Sequence, residues 1–349
     1  MERTDLQRNF YDLSVADWQE WCEANHLPSF RATQLFEWQT KGIDSVDEMT
    51  NIGKSLRAKI ADEFYIPGVE YREAFHSRDG SVKYLFRLQD GNLIETVFMP
   101  SAGGYTLCLS SQIGCRMGCA FCASAPLGLA RNLSAGEMIA QVTKVQRYQD
   151  KRISNIVIMG IGEPLDNYDE IVRFLRRVNS PDGLNISMRH ITLSTCGLVP
   201  EIARLAEEDM PITLSISLHG PDQKVRERLM PIARRYHFDD VIQAAKDYFD
   251  KTGRRVTYEY ALFAGINDSV KQAEELALAL KGQNAHVNLI PANPVPGTPF
   301  KRSPEEQVNR FRDALAKHHI NATVRVSMGE DIAAACGQLR KSRIEADTE

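Results

Sequence analysis

From about residue 105 onward, short apolar runs alternate with helix-patterned stretches, and this alternation restricts the fold more than any other feature of the chain. Strand-like runs fall at 105–110, 155–159, 190–195, 213–217, 256–262, 286–290 and 323–327. Strands joined by helical crossovers return to the same end of a sheet, so they pair in parallel. The expected fold class is therefore parallel α/β, a barrel or a doubly wound sheet. Two helix starts sharpen the pattern. Ser134-Ala135-Gly136-Glu137 is a capping box, and Ser303-Pro304-Glu305-Glu306 predicts Ser at the N-cap, Pro at N1 and Glu at N3.

Residues 1–67 read as a small helical unit. Val15, Trp18 and Trp21, then Leu35, Phe36 and Trp38, recur at helical spacing, and Cys22 beside them reads as a core thiol. Asn51-Ile52-Gly53-Lys54 predicts a tight turn. Lys54, Arg57 and Lys59 could offer charge to a phosphate there, and plain surface charge is the simpler reading. Residues 68–100 change character. Tyr84-Leu85-Phe86-Arg87-Leu88 and Leu93-Ile94-Glu95-Thr96-Val97-Phe98 predict a hairpin across an Asp-Gly turn. Glu95 has the solvent face as its default place, a pocket being the alternative. The third segment is 101–349.

The net charge of −4 does not advertise nucleic-acid binding, although a basic groove can coexist with an acidic remainder. No stretch approaches the roughly 20 apolar residues that span a bilayer, and the polar start resembles no signal peptide. An odd count of seven cysteines without a secretory signal points to the cytoplasm and to metal or thiol chemistry.

Three of those cysteines, Cys115, Cys119 and Cys122, have C-x3-C-x2-C spacing and follow the first strand of the alternation. Soft thiolates select zinc, copper(I) or iron–sulfur clusters. A closed zinc site takes four ligands, and no fourth Cys or His follows at finger spacing. A cluster held by three cysteines keeps one iron open. A zinc knuckle and a redox CxxC pair remain the plainer alternatives. Ligands of parallel α/β folds bind at the carboxyl ends of strands, and candidate residues recur there. Gly160, Gly162 and Glu163 follow the second strand, Ser194 and Thr195 end the third, and Ser217, Leu218 and His219 end the fourth. Asn293 follows the 286–290 strand. A lone histidine such as His219 has a binding role at most. Cys336, set among alanines, reads as a small buried hydrophobe, although Gly337 permits a bend that exposes the sulfur. Cys108 lies in the first strand, and Cys196 reads as structural.

Together and in order, Cys115-x3-Cys119-x2-Cys122, Met159-Gly160-Ile161-Gly162-Glu163-Pro164, Arg189 to Thr195, Ser217-Leu218-His219, Val287 to Pro291 and Ala335-Cys336-Gly337-Gln338-Leu339 resemble the RlmN/Cfr family of radical S-adenosylmethionine (SAM) RNA methyltransferases. The resemblance runs from about Tyr84 to about Arg340. It implies a partial (β/α)6 barrel with an amino-terminal helical domain. It implies a [4Fe-4S] cluster on Cys115, Cys119 and Cys122, and SAM held by Gly162, Glu163, Ser194, Ser217, Leu218, His219 and Asn293, two molecules per turnover. It implies that Cys336 carries a methyl group, that Glu95 removes a proton from the adenine, and that Cys108 resolves an RNA–protein crosslink through a transient disulfide with Cys336. The implied partners are 23S rRNA, tRNA and an electron donor such as flavodoxin or ferredoxin, with no membrane and a monomeric chain. The helical domain and the basic segments 224–235, 251–255 and 340–343 are the RNA-binding candidates, with surface charge as their plainer reading. Methylation at C8 instead of C2, and a non-catalytic metal-binding RNA-binding protein, are the competing functions.

Overall fold

The structure, a computed structural model, describes residues 7–101, 103–293 and 295–339. Its frame is one ten-stranded sheet. The strands are β1 (Glu70–His76), β2 (Val82–Arg87), β3 (Leu93–Ser101), β4 (Gly104–Cys108), β5 (Asn155–Ile158), β6 (Ile191–Thr195), β7 (Thr213–Ser217), β8 (Val256–Leu262), β9 (Ala285–Pro291) and β10 (Asn321–Val324). They lie side by side in chain order. β1 to β4 pair antiparallel, as tight turns require, and β4 to β10 pair in parallel. β4 to β9 give the six parallel strands of the expected partial barrel, and short β10 adds a seventh.

Helices α1 (Val15–Ala24), α2 (Phe30–Thr40) and α3 (Lys54–Glu63) precede the sheet. The crossovers carry α4 (Ala135–Gln149), α5 (Tyr168–Asn179), α6 (Val199–Glu207), α7 (Gln223–Leu229), α8 (Phe238–Thr252), α9 (Val270–Ala279) and α10 (Glu305–Lys317). α4 begins as expected: Ser134 Oγ accepts the Glu137 N–H, and the Glu137 carboxylate accepts the Ser134 N–H. α5 buries Ile171, Phe174, Leu175 and Val178 on one face, with acids in its first turn and arginines in its last, where the helix dipole favours them. The amino-terminal helices enclose an aromatic cluster in which Trp18 lies 5.3 Å from Phe10 and 5.0 Å from Phe64, ring centre to centre. Cys22 is buried beside it. These residues and the sheet's apolar face form one continuous core. Lys144 of α4, fully buried, ties the two regions by donating to the Ile43 carbonyl and pairing with Asp44.

Among the described residues the edge strands β1 and β10 share no ladder. Residues 329–339 bridge the gap instead. The Gly329 N–H donates to Asp79 at 2.7 Å, the Ser77 hydroxyl donates to Asp331 at 2.6 Å, and Lys83 of β2 donates to the Ala333 carbonyl at 3.3 Å.

Four expectations change. Glu95 is not on a solvent face. It is 4% exposed, because α4 covers one side of β3 and residues 329–339 cover the other. Ser303 does not cap α10, whose N-cap is Pro304. The Ser303 hydroxyl is buried and donates to Asp268 at 2.8 Å. The last strand ends at Val324, so Arg325 to Ser327 lie beyond it. Within 224–235 the surface-charge reading holds for Lys224, Arg228, Arg234 and Arg235 but fails for Arg226, which is fully buried. The segment 340–343 lies outside the described residues.

Candidate active site

Two adjoining clefts open at the carboxyl ends of the parallel strands. The first, about 1050 Å³ including its open mouth, is lined by Cys115, Cys119, Cys122, Gly162, Glu163, Ser194, Ser217, His219, Asn293 and Cys336. Nearly every residue expected to bind metal or SAM therefore meets in one place. The second cleft, about 730 Å³, is lined by Cys108, Met159, Arg325, Ala335 and Cys336. Cys336, with an exposed sulfur, belongs to both.

The three-thiol loop is pinned on all sides. Residues Gln112–Gly114 pair with Leu129–Asn132 at its base. The Ala120 N–H donates to the Leu229 carbonyl at the end of α7. The Ala123 N–H donates to the Gly337 carbonyl, and Ser124 Oγ donates to the Leu339 carbonyl, so the loop and the segment bearing Cys336 hold one another. Burial pushes all three thiols up, Cys115 to about 12. A bound cation reverses that preference and favours thiolates. Three thiols spaced around one cleft wall suit a polynuclear cluster, whose ligands attach at separate corners. The soft donor set fits an iron–sulfur cluster.

The SAM-side residues differ in what they can offer. Glu163 is buried. One of its oxygens accepts the Leu165 N–H and the other accepts the Cys196 N–H at 2.7 Å, so it anchors the loop as well as facing the cleft. A Cβ on Gly160 would stand 2.6 Å from the Leu109 carbonyl oxygen, so only glycine lets these backbones meet. Ser194 and Ser217 lie 3.5 Å apart, hydroxyl to hydroxyl. Leu218 points into the core, and its N–H is spent on the Glu259 carbonyl, which leaves no side-chain role in the cleft. Asn293 donates to the Cys336 carbonyl and accepts from Ser327 and Arg302.

His219 has the left-handed φ of +53°, held there by hydrogen bonds from its N–H to Glu259 and from Asn267 to its carbonyl. The Ala261 N–H donates to its Nδ1 at 2.9 Å. Nδ1 must then be the acceptor, so the ring is neutral and Nε2 carries the proton. Burial, and then the charge of Arg226, push its pKa down to about 3. A histidine depressed in the folded state takes up its proton more readily when unfolded, so stability falls as pH drops from 6.5 towards 3. The expected slope is about 1.4 kcal/mol per pH unit from this ring. Urea midpoints measured against pH should show the slope in the wild type and lose it in His219→Gln.

Glu95 lines neither cleft but shares the inner face of the sheet with Val97 and Cys108, which are register partners. Lys83 stands 3.2 Å from its carboxylate. Sequence reasoning missed Lys83, Arg226, Glu259 and Arg325, and it read Cys196 as structural; that residue is buried and also lines the first cleft. Glu259 had a visible signal, a lone carboxylate in the apolar run 256–262. It accepts from Ser215 and Asn288 and stands 3.7 Å from Arg325. Arg325 is drawn up first by the Cys336 sulfur.

Residues 109–277 match the radical SAM superfamily, and residues 8–66 match the ribosomal RNA large subunit methyltransferase N-terminal domain. The chain is 53% identical over 315 residues to a probable dual-specificity RNA methyltransferase RlmN of Lachnoclostridium phytofermentans, covering 90% of this chain and 88% of that one. The like-named protein of Alkaliphilus oremlandii is 48% identical, covering 99% of this chain and 100% of its own. A radical SAM methyltransferase structure from Sphaerobacter thermophilus superposes with a TM-score of 0.92 at 45% identity, over 95% of this chain and 99% of that one. The chain belongs to the RlmN family of radical-SAM methyltransferases. Membership in that family implies a [4Fe-4S] cluster and SAM, which the three-thiol cleft suits. No described helix is long and apolar enough to cross a membrane.

Proposed function

We propose that this RlmN-family chain methylates C2 of one adenosine in 23S rRNA and of an adenosine beside the tRNA anticodon, acting in the cytoplasm as a monomer. The observation that carries the reading is the position of Cys336, which shares one cleft with the three-thiol loop and the other with Cys108. C2 of adenine lies between two ring nitrogens. It is too electron-poor to attack a sulfonium methyl, so the methyl must first be carried on sulfur. Cys336 takes that methyl from one SAM by displacement, forming a thioether and releasing S-adenosylhomocysteine. The cluster, when bound, supplies the electron that opens a second SAM to the 5′-deoxyadenosyl radical.

Ser194, Ser217, the Nε2–H of His219, Asn293 and the Gly162–Glu163 backbone hold that second SAM, so that the radical meets the methyl on Cys336 in one bound geometry. Loss of hydrogen there leaves a carbon radical, whose addition to C2 joins RNA to protein. Glu95 accepts the C2 proton while the adduct's unpaired electron passes to a one-electron acceptor, a role the oxidised cluster would fill when bound. Lys83, beside it, offsets the cost of holding a carboxylate away from water. Cys108 then attacks the Cys336 sulfur. The C–S bond breaks, the departing CH2 carbon takes up a proton to become the methyl group, methylated RNA leaves, and a Cys108–Cys336 disulfide remains for an external dithiol to reduce. A loop adenosine that can be splayed out of its stack suits such a cleft. Flavodoxin or ferredoxin chemistry suits the electron supply.

The test is anaerobic reconstitution with iron and sulfide, followed by mass spectrometry of digested rRNA and tRNA. A brown protein that yields 2-methyladenosine from both RNAs is expected. Product found only as 8-methyladenosine would transfer the reading to the C8-directed relatives. A colourless protein with one zinc per chain would reject it.

A further inference from the structure

Arg226, on α7, is fully buried, yet most of its guanidinium has no partner. Nη2 donates to the Cys196 carbonyl at 2.5 Å, while Nε and Nη1 have no acceptor. No ion pair involves Arg226 among the described residues, and its nearest electrostatic neighbours are the thiols Cys196 and Cys119. A guanidinium does not give up its proton, so this is a charge without an answer inside the chain. It sits behind the cleft wall. The turn that ends α7 is hydrogen-bonded to the three-thiol loop through Ala120, and Cys119 is one of the loop's three expected ligands.

Three thiolates around a [4Fe-4S] core carry net negative charge, and more of it once the core accepts an electron. We propose that Arg226 is the buried counter-cation of the cluster: it favours cluster loading and raises the reduction potential by stabilising the more negative state. The orphaned Nε and Nη1 nitrogens would be the hydrogen-bond donors of such an outer shell, and hydrogen bonds and charge near the sulfurs are what tune these centres. Arg226 is thus a positioning residue that acts through the cluster and not on RNA.

The expected effects differ from those of a residue that merely braces the Cys196 carbonyl. In the iron-free protein the charge is a burden, so Arg226→Met should melt at or above the wild-type temperature. After anaerobic reconstitution the order should reverse, with the wild type gaining more from loading. In a redox titration followed by electron paramagnetic resonance, Arg226→Met should lower the reduced-to-oxidised ratio at a fixed potential about tenfold, a shift of about 59 mV for one electron. Arg226→Lys should restore most of that shift. Arg226→Gln, which keeps a donor for Cys196 without the charge, should behave like Arg226→Met and serves if the latter does not fold.

Equal destabilisation of iron-free and loaded protein, with an unchanged potential, would overturn the proposal. Wild-type chain that takes up no iron would remove the cluster reading itself, a failure distinguishable from the first.

Discussion

Cys108→Ala should leave RNA covalently joined to Cys336 and limit each chain to at most one turnover. The expectation follows from the second cleft, where the two sulfurs share a wall. Cys108 is 8% exposed at the end of β4, and burial pushes its thiol up to about 12. It therefore rests as a thiol at neutral pH. Arg325, which lines both clefts with Cys336, is the cation that favours the thiolate when it is needed. Without Cys108 nothing at this position can attack the Cys336 sulfur. A denaturing gel of protein expressed in cells should show RNA-shifted chain, with the link mapped by mass spectrometry to Cys336. Cys22→Ala is the control, because Cys22 lies in the amino-terminal core and lines neither cleft. Recovery of Cys108→Ala free of RNA, with iron intact, would sink the resolving role.

The second large effect is expected at Gly114. Its φ is +79°, and a Cβ there would fall 1.8 Å from the Gly128 carbonyl oxygen. Both groups belong to the backbone, so no side chain can turn aside. The same Gly128 carbonyl accepts the Cys115 N–H at 3.0 Å, which sets the direction of the first ligand. Gly114→Ala should therefore open the base of the loop and reduce bound iron to background after reconstitution, with loss of all radical chemistry. The left-handed backbone alone costs about 1–2 kcal/mol for a residue with a Cβ. Gly91→Ala separates the two effects. Gly91 has a φ of +81° but open space around it, in the turn between β2 and β3, so this variant should pay the strain and keep its iron. Equal iron in the two variants would show that the loop tolerates the displacement.

The sheet was legible in the sequence because each strand after residue 105 is a compact apolar run between helices with their own signals. The runs 213–217 and 256–262 match β7 and β8 residue for residue. The cleft was legible for the same reason. Once strands are placed, their carboxyl ends follow, and the cysteine loop, Glu163, Ser194, Ser217, His219 and Asn293 converge there. What stayed hidden depends on chain that packs from far away. Glu95 alternates with apolar neighbours as a half-exposed strand would, and the segment that covers it lies more than 200 residues later. Ser303 has the spelling of an N-cap, but a buried Asp268 competes for its hydroxyl. Arg226 sits in a run of charges that resembles a solvated face, and only the turn of α7 against the cysteine loop takes it inside.

The bridge formed by residues 329–339 bears on how the protein comes into being. Synthesis proceeds from the amino end, and domains gather as they emerge. The hairpin of β1 and β2, the thiol loop and all ten strands exist before Cys336 is joined to them. Cys336 therefore reaches the two clefts only when the segment that spans the sheet's edges docks.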